Sequence, residues 1–242
     1  MSTSTAVLYV AGFDVEVVRK DIKNLHLGVY PPFGRVRVAA PPALDDEAVR
    51  LAVISRLPWI RKQRTKLQRQ VRQTHRNMVD GETHYAWGRK YRLRIVEDGA
   101  RQRVTFKGNE RLELHVPAGA DRGARERRLT EWYRDELKAA IPGLVRAWAP
   151  LLGLDEPAWA VRRMKTKWGT CKADQARIWL NLELAKKSAA CLEYIVVHEM
   201  VHLIERHHND RFRALLDRTM PQWRTYRDEL NMAPLAHEDW SY

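Results

Sequence analysis

The stretch VVHEMVHLIERHHND, residues 196–210, holds four of the nine histidines in the chain. On a helix, His198 and His202 lie four residues apart, so both imidazoles project from one face and can bind one ion. Glu199 projects in a neighbouring direction, from which its carboxylate can reach a metal-bound water without being a ligand. Zinc lowers the pKa of such a water to about 7, and a general base can then take the proton. The spacing therefore predicts metal-assisted hydrolysis.

The residues around this motif are apolar on nearly every side. The run CLEYIVVHEMVHLI, residues 191–204, lacks the polar face of a surface helix and predicts a helix buried in the core. Burial of histidines and a glutamate is unfavourable unless they are hydrogen-bonded or bound to a metal. A core helix whose polar residues bond only to protein groups is the alternative interpretation, and we consider it weaker.

A catalytic zinc site commonly has three protein ligands and one open position. The nearby candidates for the third ligand are Glu205, His207 and His208. Glu205 returns to the face of His198 but lies about 10 Å further along the helix axis. On a continued helix His207 would point almost opposite the two ligands, and His208 lies about 80° nearer. Asn209 is a good N-cap residue, so we expect the chain to turn here. Spacing alone favours His208 only slightly.

The segments before the motif predict a long helix and an antiparallel hairpin. Residues 122–153 have apolar positions at helical spacing, broken at Pro142 and ended near Gly153. The run AWAVRRMKTKW, residues 158–168, predicts a strand. Its expected antiparallel partner is ARIWLNLEL, residues 176–184, across the turn GTCKADQ.

The first part of the chain predicts strands around a basic helix. Alternation of apolar and polar residues in the first forty positions, and again from about Thr83 to Pro117, indicates short strands. Gly108-Asn109 indicates a hairpin turn. Residues 44–76 have acids at the start and bases at the end, as in a helix that Pro58 can kink or split. We therefore predict an α+β fold with a β-rich N-terminal region, residues 1–117, and a compact C-terminal region, residues 118–242.

The formal net charge of +13 is unevenly distributed. Residues 56–76, RLPWIRKQRTKLQRQVRQTHR, contain eight Lys or Arg and no acid. Such a cationic stretch attracts polyanions, so it indicates a nucleotide or nucleic acid as a partner, with salt-dependent affinity. A solvated helix face in a basic protein is the simpler interpretation, and no named nucleic-acid motif is present.

Composition also bears on the compartment. Two cysteines, Cys171 and Cys191, are too few for a disulfide framework and lack the paired spacing of a cysteine zinc site. The N-terminal residues show no basic start followed by an apolar run, and no segment reaches the roughly 18 apolar residues of a membrane span. We therefore expect a reduced, soluble, cytoplasmic protein without a membrane partner. The sequence does not indicate an oligomeric state.

Several motifs follow one another between about residues 160 and 232. They are Trp168-Gly169-Thr170-Cys171, Leu180-Asn181, His198-Glu199-Met200-Val201-His202, His208 and Phe212. This order resembles the pattern of the YgjP-like metallopeptidases, which are related to SprT-like and other compact zincins. Thr170 replaces the usual serine of that family, and Arg213 stands where the family often has tryptophan. Neither residue is an expected ligand.

The resemblance implies a zincin-like C-terminal part in which an antiparallel hairpin precedes an active-site helix with the HExxH motif. It implies that His198, His202 and His208 bind zinc and that Glu199 is the general base and acid. His207 then becomes a neighbour of the site. The implied substrate is a protein or peptide.

Three residues that precede the expected HExxH helix are candidates for contacts with the substrate or the transition state: Lys165, Lys167 and Asn181. They lie on the expected hairpin, and in zincins a β edge commonly borders the substrate cleft. The alternative for each is a surface lysine or a structural asparagine. Cys171 is better explained as a turn or buried thiol than as a fourth ligand, since a closed site would leave no room for water.

The leading hypothesis is a zinc-dependent metallopeptidase in which Glu199 activates a zinc-bound water. A first alternative keeps the metal and changes the substrate to a nucleoside triphosphate, with pyrophosphate hydrolysis as the reaction, an activity that the resemblance also implies. A second is a nucleic-acid-associated binding protein in which the zinc site is structural and residues 56–76 bind the polyanion.

Overall fold

The computed structural model of the protein describes residues 4–30, 34–69, 76–98, 102–164 and 167–232. The described residues form two compact units, one within Met1–Arg72 and one within Gln73–Ala236. The division falls earlier than the predicted boundary near residue 117, because the second block of strands shares one hydrophobic core with the C-terminal helices. The architecture is mixed α+β, as predicted.

A four-stranded sheet and two helices make up the N-terminal unit. The strands are β1 (Ser4–Val10), β2 (Phe13–Arg19), β3 (His26–Tyr30) and β4 (Arg35–Ala40), in the order β1-β2-β4-β3. β2 and β4 are parallel, and the other pairs are antiparallel. Alternate apolar residues of β2 and β4 share a core with buried residues of α1 (Asp46–Ser55) and α2 (Leu57–Arg69). The alternating sequence therefore gives a sheet with one face covered by helices.

The predicted basic helix is split in two. α2 begins at Leu57, so Pro58 lies in its first turn, where the missing N–H has no helical partner to lose. Arg61 and Lys62 of α2 are exposed to solvent. Residues 70–75 of the predicted basic stretch lie outside the described residues.

The C-terminal unit begins with a second four-stranded sheet. Its strands are β5 (Thr83–Ala86), β6 (Arg89–Val96), β7 (Arg103–Lys107) and β8 (Arg111–His115), in the order β5-β6-β8-β7. The hairpin predicted at Gly108-Asn109 is confirmed, since β7 and β8 pair antiparallel across it. Gly108 has a φ of 61°, which a residue without a side chain adopts readily.

The long helix α3 runs unbroken over Arg122–Leu152. We expected Pro142 to break it, and this prediction is wrong. Ile141 and Val145 are buried beside the proline. Each buried side chain of this size contributes roughly 1.5–3 kcal/mol, enough together to offset the roughly 3 kcal/mol that an interior proline costs. The predicted helix end is confirmed, with Gly153 as a left-handed cap at a φ of 67°.

A three-stranded sheet follows, with β9 (Ala158–Arg162), β10 (Gly169–Lys172) and β11 (Arg177–Asn181) in the order β10-β11-β9. An antiparallel hairpin is present, but its first strand is β10, which we expected to be a turn. β9 instead lies parallel to β11 on its other side. The turn is shorter than expected because Ala176 adopts a left-handed φ of 43° and closes it. β10 lies at one edge of this sheet, because among the described strands it pairs only with β11.

Helices α4 (Ala189–Val201), α5 (Asp210–Thr219) and α6 (Trp223–Met232) complete the C-terminal unit. α4 is buried on nearly every side, as its apolar sequence predicted. It packs against α3, α5, α6, β10 and β11. Glu199 is therefore buried in the core of this unit, while His198 and His202 are partly buried. Within the described ranges, none of the helices has both the length and the apolar character needed to cross a membrane.

Candidate metal centre

α4 carries His198 and Glu199 in its last turn. Ser188 caps the start of this helix by accepting a backbone N–H hydrogen bond at 3.3 Å. The helix ends after Val201, but the N–H of His202 still donates to the carbonyl of His198 at 3.2 Å. His202 therefore stays one helical turn from His198, and both imidazoles face the same side.

The chain turns after α4 and brings a third histidine back to the first two. Asn209 caps α5, and its Oδ1 accepts a hydrogen bond from the N–H of Phe212 at 2.9 Å. The residue before this cap is His208. Its Nε2 lies 3.0 Å from Nε2 of His202 and 3.1 Å from Nε2 of His198. The structure therefore brings together the three histidines that the sequence suggested.

The three facing nitrogens fit a metal ion. Their candidate ligand atoms all lie within 4.8 Å of one another. Nitrogen ligands about 2.0–2.1 Å from a tetrahedral zinc ion stand about 3.3 Å apart, which is close to the spacing observed here. Three imidazoles are a donor set that catalytic zinc sites use, with the fourth position left open. The residues present thus suit a zinc ion.

Neighbouring groups orient the imidazoles. Nδ1 of His202 lies 3.0 Å from the carbonyl oxygen of Glu205. A carbonyl can only accept, so this Nδ1 carries the proton and Nε2 keeps a free lone pair. Nδ1 of His198 lies 3.4 Å from the hydroxyl of Tyr194, and the ring of Phe212 packs against the imidazoles of the site. Such partners fix the orientation of metal-binding histidines.

The site favours neutral histidines. Burial, followed by the neighbouring imidazoles, lowers the pKa of His198 to about 3. Burial also lowers the pKa of His202 and of His208. A histidine binds a metal only through an unprotonated nitrogen. The three side chains are therefore ready to bind near neutral pH.

Glu199 lies beside His198 and is only 5% exposed. Burial raises the pKa of its carboxyl to about 8, while the positive charge of Lys167 acts in the opposite direction. A carboxylate with a raised pKa is a stronger base than an exposed glutamate. The arrangement places a buried carboxyl group on the residue next to His198.

Two other candidates for the third ligand lie outside the cluster. His207 is exposed, and its backbone N–H donates to Oε1 of Glu205 at 3.1 Å. The Glu205 carboxylate also lies 3.8 Å from the guanidinium of Arg211. Glu205 therefore serves the site through its carbonyl, which accepts from His202, and its carboxylate is engaged elsewhere.

The three suggested substrate contacts differ in their placement. Lys165 lies outside the described residues. Lys167 is exposed, with its charge near Glu199. Asn181 is 4% exposed, and its Nδ2 donates to the carbonyls of Met164 at 2.8 Å and Lys167 at 2.7 Å. Its Oδ1 accepts two backbone N–H hydrogen bonds, at 3.2 and 3.3 Å. Both amide hydrogens are thus used within the protein, where they bond to the backbone of Met164 and Lys167.

Cys171 lies in β10 and is half-buried. Burial raises the pKa of its thiol to about 11, with smaller contributions from Glu199 and Asp174. A thiol with this pKa is protonated near neutral pH and is a poor metal ligand. The sulfur is not part of the histidine cluster found among the described residues.

Sequence reasoning missed two residues that contact the clustered histidines. Tyr194 precedes His198 by four residues on α4, a helical spacing that could have revealed it. Arg213 donates to the carbonyl of His208 at 3.1 Å and to Oδ1 of Asp210 at 2.6 Å. We noted Arg213 only as a departure from a family pattern, and its role depends on the turn before α5.

Comparisons with solved structures give weak similarity to two archaeal proteins. The metallopeptidase zymogen of Pyrococcus abyssi abylysin is 19% identical, with 37% of this chain and 90% of that chain covered and a TM-score of 0.35. The metallopeptidase zymogen of Methanocaldococcus jannaschii jannalysin is 18% identical, with 37% and 92% covered and a TM-score of 0.33. The comparison with curated proteins gives no match.

The comparison with family models is more informative. The model described as "YgjP-like, metallopeptidase domain" matches residues 24–233. The match covers most of the chain and includes all three clustered histidines and Glu199. The chain therefore belongs to the YgjP-like metallopeptidase family.

Proposed function

We propose that this protein is a zinc-dependent peptidase in which His198, His202 and His208 hold the ion and Glu199 is the general base. The observation that supports this most is the position of Nε2 of His208, 3.0 Å from that of His202 and 3.1 Å from that of His198, beside a buried glutamate. Membership of a metallopeptidase family points to the same reaction class.

An ion held by these histidines would supply Lewis-acid chemistry, which makes water more acidic and a carbonyl more electrophilic. Glu199 takes a proton from the water that attacks the scissile carbonyl. It then delivers this proton to the nitrogen of the leaving amine. Its position supports this role: the pKa of about 8 belongs to the metal-free site, and the positive charge of a bound ion would favour the ionised carboxylate that accepts the proton. The exposed Lys167 is our candidate for contact with the developing oxyanion, on a loop that Asn181 holds in place.

The substrate that fits this site best is an extended peptide. β10 lies at an edge among the described strands and packs against α4, the helix of Glu199. An unpaired strand edge can bind a peptide backbone as an added strand. A peptide held in this way would run alongside the general base. This arrangement favours peptide cleavage over hydrolysis of a nucleoside triphosphate.

The proposal is tested by metal analysis and an unbiased substrate screen. The wild-type protein and the Glu199→Gln variant are assayed in parallel against a peptide library and against nucleoside triphosphates, with and without zinc. We expect zinc-dependent peptide cleavage by the wild type and none by the variant at equal zinc content. Pyrophosphate release without peptide cleavage would favour the nucleotide hydrolase, and zinc binding without turnover of either class would favour a structural metal site.

A further inference from the structure

Gly169 is the first residue of β10 and pairs with Leu180 of β11. Its φ is not in the left-handed region, unlike that of Gly153 or Gly108. Any residue can adopt the backbone conformation found here. The need for glycine at this position must therefore come from its surroundings.

One side chain occupies the space beside Gly169. A Cβ atom added at this position would lie 2.6 Å from Cγ, 2.6 Å from Oε1 and 2.8 Å from Cδ of Glu199. Carbon atoms in van der Waals contact stay about 3.5–4.0 Å apart. Even alanine would therefore overlap with the Glu199 side chain in its present position.

Both partners lie in packed surroundings that limit their movement. Glu199 is 5% exposed, and Val196 and Met200 on the same helix are fully buried. On the strand side, the carbonyl of Trp168 accepts a hydrogen bond from the N–H of Asn181 at 2.8 Å. The carbonyl of the residue before it, Lys167, accepts from the Asn181 side chain at 2.7 Å. The backbone leading into Gly169 is therefore fixed over the carboxylate.

We infer that Gly169 is a positioning residue for the general base. Because Gly169 has no side chain, the Glu199 carboxylate can occupy the adjacent space and keep its present orientation on α4. The packing of Gly169 against Glu199 follows from the contacts alone, whereas its effect on catalysis rests on the proposed function. It also gives a physical reason for the glycine in the Trp168-Gly169-Thr170-Cys171 motif.

The packing relationship is tested by a cycle of stability measurements that requires no activity. Gly169→Ala, Glu199→Ala and the double variant are compared with the wild type by thermal unfolding, each with and without zinc. We expect Gly169→Ala to lower the melting temperature in the wild-type background and to have little effect in the Glu199→Ala background. The double variant has room for the added methyl group, so it provides the comparison even if Gly169→Ala alone does not fold.

A matched glycine serves as the control for this cycle. Gly143 lies on α3, and a Cβ added there meets nothing within 4 Å. Gly143→Ala should therefore leave the melting temperature unchanged or raise it, because alanine is the better helix former. An equal loss of stability for Gly169→Ala in both backgrounds would overturn the inference.

The catalytic consequence is tested by steady-state kinetics together with zinc analysis. We expect Gly169→Ala to keep its zinc and to lower kcat by about 100-fold, as displacement of a reacting group by about 1 Å commonly does. KM should change much less than kcat. A general structural defect would instead lower zinc content and activity together, and an unchanged kcat would refute the positioning role. If the wild type cleaves no peptide, the proposed function fails, while the stability cycle still decides whether Gly169 holds Glu199.

Discussion

The Nδ1–H of His202 donates to the carbonyl oxygen of Glu205 at 3.0 Å, across the turn that ends α4. This bond directs the Nε2 lone pair of His202 toward His208 and His198. The backbone of the turn thus orients the imidazole of His202 and places that of His208 beside it. The loop after the HExxH helix is part of the candidate metal site.

His208→Ala should lower the zinc affinity far more than His207→Ala. Only the first change removes one of the three converging nitrogens, because the imidazole of His207 is exposed and outside the cluster. Changing a residue that only supports a ligand typically lowers metal affinity by about 10- to 100-fold. We expect a larger loss of zinc affinity for His208→Ala. Titration against a competing zinc chelator measures both variants, and equal losses would contradict the assignment of His208.

Glu199→Gln should keep the zinc and the fold but lose turnover. The amide has nearly the same shape as the carboxylate and cannot accept a proton. General base catalysis typically contributes about 100- to 10,000-fold to the rate, so we expect a fall in kcat of this size. Metal analysis and circular dichroism provide the controls. Turnover at the wild-type rate would show that another group is the base.

Arg213→Ala should weaken zinc binding moderately. The guanidinium donates to the carbonyl of His208 and to Asp210, which fixes the backbone of the third proposed ligand. We expect a few-fold to about 10-fold loss of affinity, which is small beside the effect of losing a ligand. Arg218→Ala is the matched control, since Arg218 is exposed in the last turn of the same helix. The same zinc affinity in both variants would exclude this supporting role.

The metal-free protein should lose stability as the pH rises from about 5 to 8, relative to Glu199→Gln. Burial raises the pKa of Glu199 to about 8 in the folded state, whereas an unfolded chain has a value of about 4.3. The folded state therefore holds a proton that the unfolded state releases. The stabilisation is present below the unfolded value and is lost as the pH approaches 8.

Urea unfolding at several pH values measures this effect. We expect the difference in the free energy of unfolding between the two proteins to change by about 1 kcal/mol per pH unit in this window. Contributions from other titrating groups cancel in the comparison. A difference that does not vary with pH would mean that Glu199 titrates normally.

Reversing the charges of Arg61 and Lys62 should weaken binding to polyanions such as heparin or DNA, without changing the zinc content. Both side chains are exposed on α2. If both side chains contact phosphates, the number of counterions released on binding should fall by about two, and the salt dependence of binding should become weaker. Lys138→Glu with Arg146→Glu, at two exposed sites on α3, makes the same change in net charge. Equal weakening by both pairs would indicate a general charge effect and no specific surface.

The parts of the site that depend on local spacing could be predicted from the sequence. His198 and His202 lie one helical turn apart, so their shared face follows from the geometry of a helix. Spacing alone hardly distinguished His208 from Glu205 and His207 as the third candidate ligand, because the position of His208 depends on where α4 ends and α5 begins. The resemblance to a family supplied what helical geometry could not.

Features that depend on distant pairing could not be predicted in the same way. Alternation of apolar residues indicates a strand but does not reveal its partner, so β9 was expected to be antiparallel to β11 and is parallel. The same reason explains why the two compact units divide before residue 117, since β5 to β8 join the C-terminal core through contacts distant in sequence. The close packing of Gly169 against Glu199 joins two residues 30 positions apart in the sequence.

The connection between α4 and α5 has a further consequence for the protein without its ion. Two of the proposed ligands lie at the end of α4, and the third lies just before the Asn209 cap of α5. A zinc ion would therefore act as a cross-link that ties two helices together at their corner. Removing it would loosen this corner first and leave the sheets intact, so that faster amide exchange at residues 202–209 would report metal loss before the protein unfolds.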